Sequence, residues 1–268
     1  MIWLLSTVWV RGNTTPLHDL PYSCIDPRYP VFIQEWVVSC AANNKIGRAL
    51  SLQTGEVVQF SATEMQVGFG DDIFLGKAGS YDFAQKKVLK KARIVSDLIA
   101  PPTAFKETVA YLGEEFVAFR VGRQSFTHKT SPDGWYPPAI SNDWVGWVEN
   151  EHIHAWHSSS AEPAIQLGKG RHIKGTEKGF FWYTDTAIKF WNPTTLEQWS
   201  IPARVVDRIS VFADLVCWSQ WGEKDIDIHC SDGFVLQREG HQLWPSVEQG
   251  WLLFQENEKP MVYALQDS

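Results

Sequence analysis

Two histidine-containing segments have the residue types and spacing of a metal site. His152 and His154 alternate with apolar residues in EHIHAWH, so on a β-strand their side chains share one face. Asp225, Asp227 and His229 alternate in the same way in DIDIH. Imidazole and carboxylate groups bind zinc and other transition metals, and they also act as general acids and bases. A strand with a polar solvent face shows the same alternation, which is the competing interpretation.

Other patterns that indicate an enzyme are missing from the sequence. It contains no G-x-S-x-G nucleophile motif, no P-loop, no dinucleotide-binding G-x-G-x-x-G and no H-E-x-x-H. We therefore expect no catalytic residue and no cofactor. The five residues of the two histidine segments remain the candidates for a metal or acid–base site.

The composition narrows the class of protein. The 268 residues include 24 Lys+Arg against 31 Asp+Glu, which gives a formal net charge of −7, and there are 14 tryptophans. A nucleic-acid binder normally carries a basic surface, so we expect no nucleic-acid partner. No apolar run approaches the ~18 residues of a membrane-spanning helix, and we expect no membrane partner. The N-terminal MIWLLSTVWV lacks the basic start and cleavage site of a signal peptide, which predicts a cytoplasmic protein.

The four cysteines are Cys24, Cys40, Cys217 and Cys230. No two of them have C-x-x-C spacing, and four cysteines in a chain of this length are not typical of a disulfide framework. We expect reduced thiols that pack in the core, because free cysteine behaves as a small apolar residue.

A strand pattern recurs about every 36 residues along nearly the whole chain. Each copy joins a short apolar strand to a stronger aromatic or β-branched strand, as in YPVFIQEWVVSC, and three copies continue into a hairpin such as ALSLQTGEVVQF. Four antiparallel strands per copy predict an all-β fold, and the pattern resembles that of β-propeller repeat proteins. The resemblance implies a single domain over residues 1–268. The repeats predict seven blades, with six as the alternative. They also predict that an N-terminal strand at residues 3–10 closes the propeller.

One segment departs from the repeat. Residues 84–100 carry apolar side chains at helical spacing and five basic residues between them. This predicts a lysine-rich insertion near residues 84–100 that is either a solvated helix or an outer strand pair, with a functional basic patch as the less favoured alternative.

Aromatic residues outside the strands are candidates for contact with another protein. We expect most tryptophans to fill the wedge between blades, where each indole N–H needs one hydrogen bond. Trp135 and Tyr136 lie in a loop after Asp133, and Trp221 precedes a charged turn at Glu223. Exposed aromatic residues beside acids are typical anchors of protein interfaces.

Acidic residues recur in the turns of the repeats, and we interpret these turns as the connections between the two inner strands. The interpretation places all of them in a ring around one mouth of the central channel, where they would attract a basic partner. The residues are Glu35, Asp71, Asp72, Glu114, Glu115, Asp143, Glu177, Asp214 and Glu248.

An acidic single domain without catalytic motifs is similar in character to the immunity proteins that bacteria encode beside secreted toxins. The similarity implies a bacterial protein, monomeric when free, that neutralises a basic toxin such as a nuclease. One alternative is a propeller hydrolase or lyase with a metal or acid–base site in its channel, and another is a scaffold subunit of a larger complex. The predicted protein-binding residues are Asp71, Asp72, Glu114, Glu115, Asp133, Trp135, Tyr136, Asp143, Trp221 and Glu223.

Overall fold

A computed structural model describes residues 14–16, 31–33, 36–40, 46–61, 66–70, 73–76, 79–82, 87–89, 98–100, 103–105, 108–121, 124–158, 162–257 and 259–265. The regular elements in these ranges are β-strands, which confirms the predicted all-β class. No helix in the described ranges has the length and apolarity needed to cross a membrane. The strands are β1 (Thr14–Pro16), β2 (Val31–Ile33), β3 (Trp36–Cys40), β4 (Ile46–Ser51), β5 (Val57–Ser61), β6 (Gln66–Gly70), β7 (Ile73–Gly76), β8 (Gly79–Asp82), β9 (Lys87–Leu89), β10 (Thr103–Phe105), β11 (Thr108–Gly113), β12 (Phe116–Val121), β13 (Gln124–Lys129), β14 (Ala139–Ser141), β15 (Trp144–Glu149), β16 (His152–His157), β17 (Ile165–Lys169), β18 (Arg171–Thr176), β19 (Gly179–Tyr183), β20 (Ala187–Trp191), β21 (Gln198–Pro202), β22 (Val205–Phe212), β23 (Leu215–Trp221), β24 (Ile226–Cys230), β25 (Val235–Leu236), β26 (Gln242–Glu248), β27 (Trp251–Glu256) and β28 (Lys259–Ala264).

The described strands form seven four-stranded antiparallel sheets. Sheets 1 to 6 each consist of four consecutive strands, from β2–β5 to β22–β25, and sheet 7 joins β26–β28 to β1. In sheet 7, β1 pairs with β28 from Thr14 opposite Tyr263 to Pro16 opposite Met261. The predicted N-terminal strand at residues 3–10 lies outside the described residues.

The two ends of each sheet carry different connections, because successive strands reverse direction. The turns between first and second strands lie at one end, together with the turns between third and fourth strands. We call this the upper end. The turns between second and third strands lie at the opposite end, with the connections from one sheet to the next. We call this the lower end.

First strands of successive sheets lie against one another. The contact is present for β6 with β10, β10 with β14, β14 with β18, β18 with β22, and β22 with β26. The first strand of sheet 7, β26, also contacts β2 of sheet 1. The first strands of sheets 2 to 7 therefore form one continuous row, and the later strands of each sheet follow on its outer side.

The core lies between neighbouring sheets. Phe180 and Trp182 of β19 pack against sheet 4, whereas Phe181 and Tyr183 of the same strand pack against sheet 6. Alternate residues of a strand project to opposite faces, and here both faces are covered. All residues of β19 are therefore buried, and the strand shows no alternation of polarity.

The prediction that tryptophans fill the space between neighbouring sheets is confirmed in the second strand of three sheets. Trp147, Trp182 and Trp218 are buried between sheets in β15, β19 and β23. Each indole N–H has one acceptor, as expected for a buried polar group. The acceptors are Glu149 Oε2 (3.4 Å), the Lys169 carbonyl oxygen (3.3 Å) and Gln220 Oε1 (3.2 Å).

Of the two conformations left open for residues 84–100, helix and outer strand pair, the structure shows a strand at Lys87–Leu89. These three residues form β9, the fourth strand of sheet 2, and they pair with β8. A fourth strand at this place agrees with the outer strand pair, and lysine is common on the outer edges of sheets. Residues 84–86 and 90–97 lie outside the described ranges.

Cys217 and Cys230 correct the expectation of reduced thiols. They are register partners on β23 and β24, their Cα atoms lie 4.1 Å apart, and they form a disulfide. Both are buried in the core between sheets 6 and 7. Their spacing of 13 residues becomes a direct contact only when β23 and β24 pair, which is why cysteine spacing alone did not predict the bond.

Candidate protein-binding surface at the lower end

The predicted ring of acids at one channel mouth is wrong, because the described acids lie at both ends. Asp143, Glu177 and Asp214 belong to the first-to-second turns of sheets 4, 5 and 6, at the upper end. Glu114 and Glu115 form the second-to-third turn of sheet 3, at the lower end. The repeat pattern did not count the short strand β10 as the first strand of this sheet, and the assignment of the turn was therefore shifted by one strand.

The predicted ring also includes Glu35, Asp71, Asp72 and Glu248. Glu35, Asp71 and Asp72 lie outside the described residues, and Glu248 is the last residue of β26. At the upper end, the Asn142 side chain donates to the Glu177 carbonyl at 2.6 Å. Lys178 and Asp214 form an ion pair. These upper-end contacts join the turns of neighbouring sheets.

The lower end collects the predicted aromatic residues. Trp135 lies in the connection from sheet 3 to sheet 4 with 89% of its surface exposed, and Trp221 ends β23 with 60% exposed. Glu223 is exposed in the turn that follows Trp221. Predicted residues from loops far apart in the sequence therefore share one end of the molecule, whereas Asp143 lies at the other.

Asp133 has a structural role at the lower end. Its carboxylate accepts hydrogen bonds from the backbone nitrogens of Asn150 (3.3 Å) and Glu151 (3.4 Å). These two residues form the turn between β15 and β16, with φ of 51° and 59°, the left-handed values of a tight hairpin turn. Asp133 thus fixes the loop that presents Trp135 against sheet 4.

Aromatic contacts continue inward from Tyr136. Its ring centroid lies 6.1 Å from that of His172, which lies 6.3 Å from that of Tyr183. The Tyr183 hydroxyl donates to the Asp207 carbonyl oxygen, and the Asp207 carboxylate accepts from the Trp244 indole. We call these five residues the axial row. It runs from the loop before β14 across β18, the end of β19 and β22 to β26.

Irregular strands position two members of the axial row. The register shifts between Arg171 and Lys174 in β18 and between Leu243 and Ser246 in β26. His172 and Trp244 lie within these irregularities with φ of 49° and 55°. Such irregularities re-aim side chains, and both side chains here contact β22, which lies between their strands. A regular strand pattern gives no signal for these two residues.

Burial sets the protonation of the row. It holds the pKa of the His172 imidazole well below its usual range, and the Lys174 and Arg208 charges act in the same direction. Burial also raises the pKa of the Tyr136 and Tyr183 hydroxyls. At neutral pH these three rings are therefore uncharged.

Trp221 packs beside a group of polar contacts formed by His241 and Asp225. Its ring meets the His241 ring edge-on at a centroid distance of 5.4 Å. His241 Nδ1 lies 3.7 Å from an Asp225 oxygen, and the Gly240 backbone nitrogen donates to the other Asp225 oxygen at 3.3 Å. Asp225 thus orders the connection between sheets 6 and 7.

The structure does not bring the two histidine segments together. His152 and His154 lie on β16 in sheet 4, whereas Asp227 and His229 lie on β24 in sheet 6, with sheet 5 between them. In the part of the chain that the structure describes, no group of three or more His, Cys, Asp or Glu side chains could hold a metal ion. The combined metal site is not formed by the described residues.

Two of the histidines instead have equivalent packing roles. His154 stacks on Trp147 at 5.6 Å and His229 stacks on Trp218 at 6.0 Å, and each pair is a cross-strand pair. Burial lowers the pKa of both histidines. Their alternation in sequence reflects the face of the third strand that covers a tryptophan.

Comparison with known proteins identifies an architecture. No protein-family model and no curated protein matches the sequence. The structure is similar to BamB from Moraxella catarrhalis, with a TM-score of 0.61, 12% identity, and coverage of 96% of this chain and 99% of that chain. It is also similar to the β-propeller domain of the Trilobed protease from Pyrococcus furiosus, with a TM-score of 0.58, 11% identity, and coverage of 89% and 94%. The fold is a β-propeller.

A third similar structure is BBS1N in complex with ARL6DN. The TM-score is 0.65 and the identity is 10%, over 97% of this chain and 98% of that chain. At sequence identities this low, the similarity shows the fold alone. The function must be inferred from the surface residues of this protein.

Proposed function

We propose that this propeller is a non-enzymatic protein that binds another protein through its lower end. The observation that carries the proposal is the exposure of Trp135 over 89% of its surface, in a loop held by the Asp133 hydrogen bonds. A rigidly presented aromatic side chain buries a large area on binding and loses little conformational entropy. Trp221 and the half-buried Tyr136 extend the same end.

We also infer that the seven sheets are seven blades and that β1 closes the propeller. The pairing of β1 with β28 covers the outer edge of β28, which would otherwise be open to pairing with another chain.

The charges of the lower-end loops favour a basic partner. Glu114, Glu115 and Glu223 are exposed at the same end as the aromatic residues. Long-range attraction by these acids would accelerate association, and this attraction would weaken as the salt concentration rises.

A toxin-neutralising partnership is the narrower form of the proposal, and a scaffold role in a larger complex is its alternative. BBS1N, one of the similar structures, is itself found in complex with ARL6DN.

The test compares the two ends of the molecule. Trp135→Ala combined with Trp221→Ala removes the lower-end aromatic residues, and Leu196→Ala removes a side chain that is 69% exposed in an upper-end turn. Affinity purification from the native source with quantitative mass spectrometry should recover one partner with the wild type and with Leu196→Ala. The double variant should lose it.

The outcomes separate the alternatives. A small basic protein that binds less tightly at high salt supports the narrower form, and a multi-subunit assembly supports the scaffold. Equal recovery of the partner by the double variant and the wild type would place the interface elsewhere and contradict the proposal. Circular dichroism of each variant confirms that the fold is retained.

A further inference from the structure

The axial row joins the two exposed tryptophans of the lower end into one elongated surface. Trp135 directly precedes Tyr136, which begins the row, and the row ends at Trp244 in β26. His241 lies just before β26, and its ring meets that of Trp221 at a centroid distance of 5.4 Å. We call the axial row, together with Trp135, His241 and Trp221, the lower-end strip.

The two ends of the strip are exposed and its middle is buried. Trp135 and Trp221 are 89% and 60% exposed, whereas His172 and Tyr183 between them are 8% and 7% exposed. The strip follows four first strands that contact one another in the order β14, β18, β22 and β26. An elongated surface of this kind matches an extended chain segment, because a compact ligand would reach only one of its ends.

The exposed tryptophans present groups that an extended proline-rich segment complements. Each exposed indole offers a flat apolar face and one N–H donor. A segment in the polyproline II conformation has no internal hydrogen bonds, so its carbonyl oxygens are free to accept. Its proline rings dock on aromatic side chains, and its ordering cost is low because the conformation is already formed in the free segment. Trp135 and Trp221 can therefore each contact a proline ring and donate to a carbonyl oxygen.

The middle of the strip suits an uncharged segment. The Tyr136, His172 and Tyr183 rings are neutral at neutral pH, for the reasons given above. The Asp207 carboxylate is paired, because its Oδ2 atom lies 3.1 Å from Arg208 Nε. A charged side chain placed over these groups would lose water without gaining a partner.

Exposed acids lie beyond both ends of the strip. At the Trp135 end, Glu114 and Glu115 are exposed in the turn of sheet 3, and the Glu115 carbonyl oxygen accepts from the Thr130 nitrogen at 3.1 Å. Thr130 begins the loop that carries Trp135. At the other end, the turn after Trp221 contains two acids and one base, which are Glu223, Asp225 and Lys224. Basic residues that flank an uncharged segment would complement this distribution of charge.

We propose that the lower-end strip binds an extended, proline-rich segment of the partner protein, with a basic residue at each end of that segment. The inference rests on the protein-binding function proposed above and names the chemistry of the partner. A second copy of this chain fits the strip poorly, because its lower end carries the same acids and like charges repel.

Fluorescence anisotropy with a synthetic peptide tests the proposal. The labelled probe is a run of about eight prolines, ~25 Å long as polyproline II, with arginine at both ends. Matched peptides replace the prolines by glycine and serine, or the arginines by glutamate. The wild type should bind the probe at least about tenfold more tightly than either matched peptide. Equal binding of the glycine–serine peptide would show attraction by charge alone and overturn the proposal.

Substitutions locate the peptide on the strip. Trp135→Ala and Trp221→Ala should each weaken binding of the probe at least about tenfold, because a segment that follows the strip contacts both ends. Leu196→Ala, in the upper-end turn, is the control and should leave the affinity unchanged. A peptide that responds to only one of the two tryptophans does not lie along the strip, and this result would also overturn the proposal.

Two further results separate this inference from the proposed function. The double variant can lose the natural partner while the wild type fails to bind the probe; the protein-binding function then stands and the proline-rich segment is excluded. Sedimentation velocity examines the other occupant. A dimer that the wild type forms and the double variant does not form would assign the strip to a second copy of the chain and overturn the proposal.

Discussion

His172 supplies the acceptor for a backbone nitrogen of the next sheet. Its Nδ1 atom lies 3.2 Å from the Ile209 nitrogen, across the interface between sheets 5 and 6. Both residues are buried, and a buried N–H without an acceptor would be destabilising. The left-handed φ of 49° at His172, within the irregular start of β18, makes this contact possible. The bond requires the neutral imidazole, because a protonated Nδ1 cannot accept.

Stability should therefore fall in mild acid. Burial places the pKa of His172 well below the usual 6.5, so the folded protein binds fewer protons than the unfolded chain below that pH. The contribution of His172 is fully present above about pH 6.5 and is lost as pH falls towards the folded pKa, by up to ~1.4 kcal/mol per pH unit.

The variant His172→Asn isolates this effect. Asparagine tolerates a left-handed backbone and offers a side-chain oxygen to the Ile209 nitrogen without titrating. Urea unfolding between pH 5 and 8 should show a shallower pH dependence for His172→Asn than for the wild type. His154 and His229 remain in both proteins, and identical pH profiles would contradict the assignment.

Two tryptophans should differ sharply in their effect on stability. Trp147 is fully buried between sheets 3 and 4 and donates to Glu149, whereas Trp135 is 89% exposed. Trp147→Ala should lower the free energy of unfolding by ~3–5 kcal/mol through the cavity it leaves. Trp135→Ala should change it by less than ~0.5 kcal/mol. Comparable losses in denaturant unfolding would show that Trp135 belongs to the core.

Gly175 controls how closely two first strands approach. A Cβ atom at Gly175 in β18 would lie 1.9 Å from the carbonyl oxygen of Ile140 in β14. Because the obstacle is backbone, Gly175→Ala should cost more than ~3 kcal/mol or prevent folding. Gly55 has φ of 72° and open space around it, so Gly55→Asn should cost less than ~1 kcal/mol. Thermal unfolding compares the two, and a stable Gly175→Ala protein would refute the close contact.

The Cys217–Cys230 disulfide can be checked without mutation. Mass spectrometry of unreduced peptides should detect the cross-link, and Cys217→Ala with Cys230→Ala should lower the free energy of unfolding by ~2–4 kcal/mol. Structural disulfides are rare in reducing compartments. Alkylation of the protein in intact cells therefore also tests the predicted cytoplasmic location, since trapped free thiols would support it.

Much of the architecture was readable from the sequence because it repeats. Short strands and tight turns recur about every 36 residues, and such a repeat can bury its apolar faces only by stacking on its neighbours. The roles of Trp147 and Trp218 follow from that period. The disulfide did not follow from it, because cross-strand neighbours depend on the pairing register.

The exposure of Trp135 and Trp221 agrees with the sequence prediction, whereas the placement of all the turn acids at one end was wrong. Trp135 and Trp221 were identified because the repeat did not account for them, but Trp221 is the last residue of β23 and not part of a loop as predicted. The predicted end for Glu114 and Glu115 was wrong, because the short strand β10 was not counted and its presence moves their turn to the opposite end.

By itself, the sequence determined the strand period, the all-β class and the aromatic residues left over from the repeat. Only the tertiary structure decided which loops share an end and which side chains meet at the axis. The reason is physical: turns alternate between two ends, so a shift of one strand reverses a residue's place. His172 and Trp244 reach β22 from irregular backbone, at distances along the chain that no local pattern spans.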